Sequence, residues 1–92
     1  MYARLTTFEH ATAIDETARQ IIERGRPEGI PATELYLMAD RESGKVVTLV
    51  LFETEEDMRK GHETLSAMNA PGGGFGERTS VDLLEVVGRL SA

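Results

Sequence analysis

Cysteine and tryptophan are both absent from this chain of 92 residues. Without cysteine there is no disulfide, no thiolate nucleophile and no sulfur-ligated metal, and the absence fits a reducing, cytoplasmic setting. Basic residues are in the minority: ten Lys and Arg against sixteen Asp and Glu leave a net charge of −6. They are scattered rather than striped, so the electrostatic footprint of a nucleic-acid binder is missing. The longest apolar stretch, Val46 to Phe52, is far short of the roughly 20 residues a membrane-crossing helix needs. The first residues, Met1 to Phe8, form neither the charged nor the apolar region of a signal peptide. The expectation is a cytoplasmic protein with neither nucleic acid nor membrane as a partner.

What the chain does have is a strand with two apolar faces. In Lys45-Val-Val-Thr-Leu-Val-Leu-Phe-Glu53, one row is Val47, Leu49 and Leu51; the other is Val46, Thr48, Val50 and Phe52. Antiparallel sheets in small proteins usually keep one face wet. One row can cover the chain's own helices, and the second needs another cover. A second copy of the chain is the most economical one. Ninety-two residues form one domain, residues 1–92. A chain of that size buries only about 60–65% of its unfolded surface, so dimerisation would enlarge a modest core.

The remaining elements follow from periodicity. Tyr2 to Glu9 alternates as a strand. Thr12 is placed to cap a helix carrying Ile14, Ala18, Ile21 and Ile22 on one stripe, with Gly25 as its stop and Pro27 beyond. Residues 26–33 read as a connector. Glu34 to Arg41 is a second strand, and Glu42-Ser43-Gly44 turns it into the third. With residues 42 and 45 facing, Tyr36 is expected opposite Leu51 and Met38 opposite Leu49. Thr54 caps a second helix whose first turn holds Glu55, Glu56 and Asp57, with Met58, Gly61 or His62, Leu65 and Met68 inside. Asn69 to Ser80 is a loop, and Val81 to Val87 the last strand. The order β-α-β-β-α-β predicts a ferredoxin-like α+β domain, a four-stranded antiparallel sheet with two helices on one face.

With these elements placed, the chain resembles the dimeric α+β barrel superfamily and, within it, the antibiotic biosynthesis monooxygenase-like proteins. The resemblance is carried by Met1-Tyr-Ala-Arg-Leu-Thr-Thr-Phe8, by Tyr36-Leu-Met-Ala-Asp-Arg-Glu-Ser-Gly-Lys45 and by Leu49-Val-Leu-Phe-Glu-Thr-Glu-Glu-Asp-Met58. It covers nearly the whole chain and consists of patterns of side-chain type. It implies a homodimer whose sheets meet face to face, with a ligand cleft between sheet and helices. Strand residues Ala3, Leu5, Thr7, Tyr36, Met38, Val47, Leu49 and Leu51 are then expected in the cleft. Helix residues Ile14, Ala18, Met58, Gly61, His62, Leu65 and Met68 would face them. The dimer face would be Arg4, Phe8, Leu35, Leu37, Val46, Thr48, Val50 and Phe52. The activity implied is a cofactor-independent monooxygenase acting on an aromatic or quinone-like small molecule. The alternatives are a non-catalytic dimeric ligand-binding or stress-response module and a polyketide cyclase on the same fold.

Each candidate residue has a plainer reading beside the chemical one. His62 is a general base or haem ligand, or else a boundary residue with one ring edge in water. Tyr36 could meet a substrate hydroxyl, or cover the core with its own hydroxyl at the edge. His10 is expected to face solvent. No His or carboxylate pair has metal-ligand spacing, so no metal is expected. The haem-degrading relatives place an Asn on the first strand and a Trp on the second helix; Ala3 and Gly61 stand there, which disfavours that chemistry. Arg4, on the barrel row, must be paired, and Glu85 is the expected partner. The Gly72-Gly-Gly-Phe-Gly76 run follows a helix and leads to a strand, the reverse of a phosphate loop. It is read as a connector or a lid beside the cleft.

Overall fold

A computed structural model of the protein describes residues 1–68 and 73–91. The chain runs β1 (Tyr2–Glu9), α1 (Ile14–Arg24), β2 (Ala32–Asp40), β3 (Lys45–Phe52), α2 (Glu55–Ser66) and β4 (Glu77–Glu85). The strands form one antiparallel sheet in the order β2-β3-β1-β4. This is the ferredoxin-like α+β architecture expected from the pattern. No helix of the described residues is long and apolar enough to cross a membrane.

The sheet presents its two apolar rows the other way round from the expectation. Val50 and Phe52 pack with Met58 of α2 and with Ile30, joined by Tyr2, Ala32, Leu65 and Leu83. Val46, Leu37 and Ala39 lie opposite Ile14 and Ala18 of α1. The helices therefore cover the row containing Tyr2, Arg4, Thr6 and Phe8. Ala3, Leu5, Thr7, Tyr36, Met38, Val47, Leu49 and Leu51 point to the open side. Both rows are apolar, so alternation alone does not choose between them. The choice is made where α2 crosses Phe52. A Cβ on Gly61 would stand 2.5 and 2.6 Å from two carbons of that ring, and Phe52 is 0% exposed. The missing side chain lets the helix backbone rest directly on the ring. Burying such a ring contributes about 1.5–3 kcal/mol.

Several element ends also move. The β2–β3 register pairs Asp40 with Lys45, Tyr36 with Leu49 and Met38 with Val47, two residues from the expected alignment. The loop is longer than expected because Asp40 organises it. Its carboxylate accepts from the Glu42 and Ser43 amides at 3.1 and 3.4 Å, and its carbonyl accepts from Gly44 N–H at 3.0 Å. Gly44 adopts φ 75°, the left-handed geometry that closes such a loop. The parity of the strands survives the shift, so the facing rows do too.

Thr54 caps α2 as expected, accepting from the Asp57 amide at 3.1 Å. Thr12 does not cap α1. The N-cap is Ala13, with no side-chain bond, and the Thr12 and Ala13 amides donate instead to the Gly74 carbonyl. A loop carbonyl has taken the place of the capping hydroxyl. The stripe of α1 is rotated as well: Thr17 is buried, while Ile22 is 69% exposed. Strand β4 starts at Glu77, four residues before the expected Val81, because pairing with β1 extends past a bulge between Thr7 and Phe8. Asn69 to Gly72, the first part of the expected loop, lie outside the described residues.

Two outcomes follow from these contacts. Gly61→Ala forces Phe52 or α2 to move and is expected to cost about 1–3 kcal/mol, measured by urea unfolding. Asp15 is held below its ordinary value of 3.8, first by its hydrogen bond from Arg41 and then by that residue's charge. Its folded value being lower, the bridge supports the fold above pH 3.8 and is lost as pH falls through that lower value. The protection factors of the α1 amides, taken against intrinsic exchange at the same pH, should therefore fall on acidification below pH 3.8, and Asp15→Asn should remove that fall.

Candidate functional site

Arg4 lies on the central strand β1, and its side chain runs under α2 rather than into a barrel. Only 3% of the residue is exposed. Its Nε–H donates to His62 Nδ1 at 3.1 Å, one Nη to Thr6 Oγ1 at 2.9 Å and the other to Ser66 Oγ at 3.5 Å. The expected pairing with Glu85 does not form. Arg4 is in register with Leu83, and Glu85 accepts from the Tyr2 hydroxyl at 3.3 Å. That carboxylate holds the Tyr2 hydroxyl above its ordinary value, chiefly by charge. Among the described residues, Arg4 has no carboxylate at ion-pair distance. Burial lowers its pKa, and the neighbouring Arg78 lowers it further.

The same bonds decide what His62 can do. A guanidinium cannot accept a hydrogen bond, so the Nδ1 facing Arg4 must carry a lone pair. Ser66 Oγ lies 3.3 Å from that same atom. With Nδ1 accepting, the ring proton sits on Nε2, and the lone pair a general base would use is occupied. His62 is thus an acceptor for a buried cation, closer to the boundary reading than to the catalytic one.

Tyr36 is on the other side of the sheet. It pairs with Leu49 and is 49% exposed. Its hydroxyl donates to Glu34, and that bond, with the carboxylate's charge, raises its pKa. The two candidate residues are therefore separated by the sheet and do not converge within one chain. Of the expected cleft, Met58, Gly61, His62 and Leu65 do line the helix side. Ala3, Thr7, Tyr36 and Met38 do not. Of the expected open row, Arg4, Phe8, Val46, Thr48, Val50 and Phe52 face the helices, with Leu35 and Leu37 in the same row on edge strand β2. Leu35 remains 46% exposed.

The helix-side space is occupied by side chains. Phe52 is 0%, Phe75 and Val46 1%, Met58 3% and Ile30 4% exposed. Phe75, from the glycine-containing loop, is inserted against Phe8 with ring centroids 5.6 Å apart, so residues 73–76 plug the α1 end of the sheet rather than stand over it as a lid. Among the described residues, two shallow surface depressions stand out. One of about 290 Å³ is bounded by Tyr2, Glu55, Met58, Arg59, Leu83 and Glu85. The other, about 240 Å³, lies between α1 and the β2 edge. Neither touches His62 or Tyr36. Among the described residues no three His, Asp or Glu side chains gather as a metal site.

Sequence reasoning missed the polar cluster of Arg4, Thr6, His62, Ser66 and Arg78. The signal available was the spacing of His62 and Ser66, one turn apart on the inner side of α2 and opposite an arginine-bearing strand. Comparison with family models, with curated proteins and with solved structures gives no significant match.

His62→Ala leaves a donor on the buried guanidinium without its acceptor and is expected to cost about 1–3 kcal/mol. Arg4→Met removes the buried charge together with its need for acceptors and should cost less. Urea unfolding of the two variants decides the order.

Proposed function

We propose that the chain is a homodimeric α+β barrel module that binds a small molecule without turning it over. The observation that carries the dimeric part of this reading is the open face of the sheet. Leu5, Val47, Leu49 and Leu51 at its centre are only partly covered, and Tyr36, Met38 and Leu84 around them are 49, 46 and 46% exposed. A patch of this kind marks an interaction surface.

A second copy is the occupant that fits. From strand spacing and rise, the face measures about 19 by 26 Å, so a symmetric pair would bury ~1,000 Å² in all, the lower bound for a specific interface. Beyond β4, Val87 and Leu90 are 91 and 94% exposed and would add apolar area at the margin. Flat apolar sheet faces stack about 10 Å apart with interdigitating side chains. The resemblance to dimeric barrels supports the same geometry, and to that extent the antibiotic biosynthesis monooxygenase-like assignment.

The geometry favours binding over catalysis. A cofactor-independent oxygenase on an aromatic or quinone-like substrate would want a ring-sized space beside a free base. His62 has neither, and Tyr36 is across the sheet from it.

Sedimentation equilibrium at micromolar concentration should return the dimer mass, and Leu49→Glu should return the monomer with its helical circular dichroism intact. A wild-type monomer would overturn the reading. Oxygen consumption with a panel of quinols should equal that of the quinols alone; uptake lost in Tyr36→Phe or His62→Ala would favour the oxygenase instead.

A further inference from the structure

A buried charge is ordinarily paired or bound to an ion, yet the acceptors of Arg4 on Thr6, His62 and Ser66 are all neutral. This happens in a chain with sixteen acidic and ten basic residues, where an acid could readily have been placed nearby. Of the five N–H donors of a guanidinium, three are engaged in those bonds, leaving two without a partner among the described residues. The charged neighbour that acts on Arg4 is a second cation, Arg78. Arg78 donates to the Ser66 carbonyl at 3.2 Å, so Ser66 touches both guanidiniums. Arg78 and Ser66 are exposed and His62 is half-buried, so the cluster meets solvent on its Arg78 side, with Arg4, 3% exposed, beneath it.

Part of this arrangement serves the helix. The last turn of α2 has no basic residue, and Arg78 supplies the positive charge from the sheet. That accounts for one bond of Arg78. It does not account for two cations gathered without an acid among the described residues, nor for the two N–H groups of Arg4 that bond none of them.

We propose that Arg4 and Arg78 form a binding site for a small oxyanion, the carboxylate or phosphate group of a diffusible molecule. Arg4 supplies the fixed, desolvated charge at the base, where a charge-assisted bond is strongest. Arg78 supplies the accessible charge at the mouth. His62 and Thr6 position Arg4 by holding it from the sides. The site is on the helix side of the sheet, away from the open face, so it stands or falls independently of the dimer.

The test is a heteronuclear NMR titration of the full chain at pH 7 and low ionic strength, with inorganic phosphate in one arm and succinate in the other. Sodium chloride at matched ionic strength is the control. Saturable shifts of the Arg4 Nε–H and the Ser66 and Arg78 amides are expected, and the arm that saturates at lower concentration identifies the anion. Arg78→Ala, at an exposed position, should weaken that binding by ~10-fold, the equivalent of one lost charge-assisted contact. Arg4→Met should abolish it. Three results would each overturn the proposal: no saturable shift with either anion, the same shifts with chloride, or an affinity unchanged in Arg78→Ala.

Discussion

The seat of the Phe52 ring against Gly61 is the contact on which the other features depend. Side chains along a strand alternate between faces, so once Phe52 turns toward α2 the direction of every neighbour in β3 is set. Hydrogen bonding across the sheet carries the same phase into β1 and β2. Tyr2 is opposite Phe52 and Arg4 opposite Val50, and both are drawn under the helix. Leu5, Leu49 and Leu51 are turned out by the same step. A single glycine in α2 thereby decides which row becomes the core and which is left for another surface to cover.

Turning Arg4 inward has a chemical consequence. The guanidinium sits in a largely buried position, where an unpaired charge is expensive. The fold answers with hydroxyl groups and an imidazole rather than a carboxylate. His62 is enlisted as an acceptor, which draws it away from acid–base work, and Arg78 brings a second positive charge to the end of the helix. The result is a polar patch inside an otherwise apolar sandwich. Its neutral partners orient Arg4 without cancelling its charge, so an anion arriving from solvent meets both cations already aligned. Structural duty and ligand recognition are compatible there, because different N–H groups of Arg4 serve each.

The order of elements was legible because each is announced by strong local signals. Thr54 and the acids behind it open α2, Gly25 ends α1, and the alternating residues of β1 and β3 stand out from the polar segments around them. What was not legible is the phase of the pleat. Topology dictates the side of the sheet on which the helices sit, but with Val46, Val50 and Phe52 on one side and Val47, Leu49 and Leu51 on the other, hydrophobicity offers no preference. The inversion misplaced Arg4 and separated His62 from Tyr36. The capping of α1 was hidden for another reason: the group that satisfies the Thr12 and Ala13 amides, the Gly74 carbonyl, is about sixty residues away in the chain, beyond the reach of local pattern. The hairpin register was missed because the Asp40 side chain bonds the loop amides, lengthening a turn that Ser43-Gly44 alone would have made tight.

The most direct measurement of the central claim is a nuclear Overhauser spectrum of the isotopically labelled chain. The account predicts cross-peaks between the Phe52 ring protons and the Gly61 Hα and Met58 methyl protons, with none from Leu49 or Leu51 to α2 of the same chain. Intramolecular cross-peaks from the Leu49 and Leu51 methyl groups to Met58 or Leu65, with Phe52 silent toward Gly61, would contradict it.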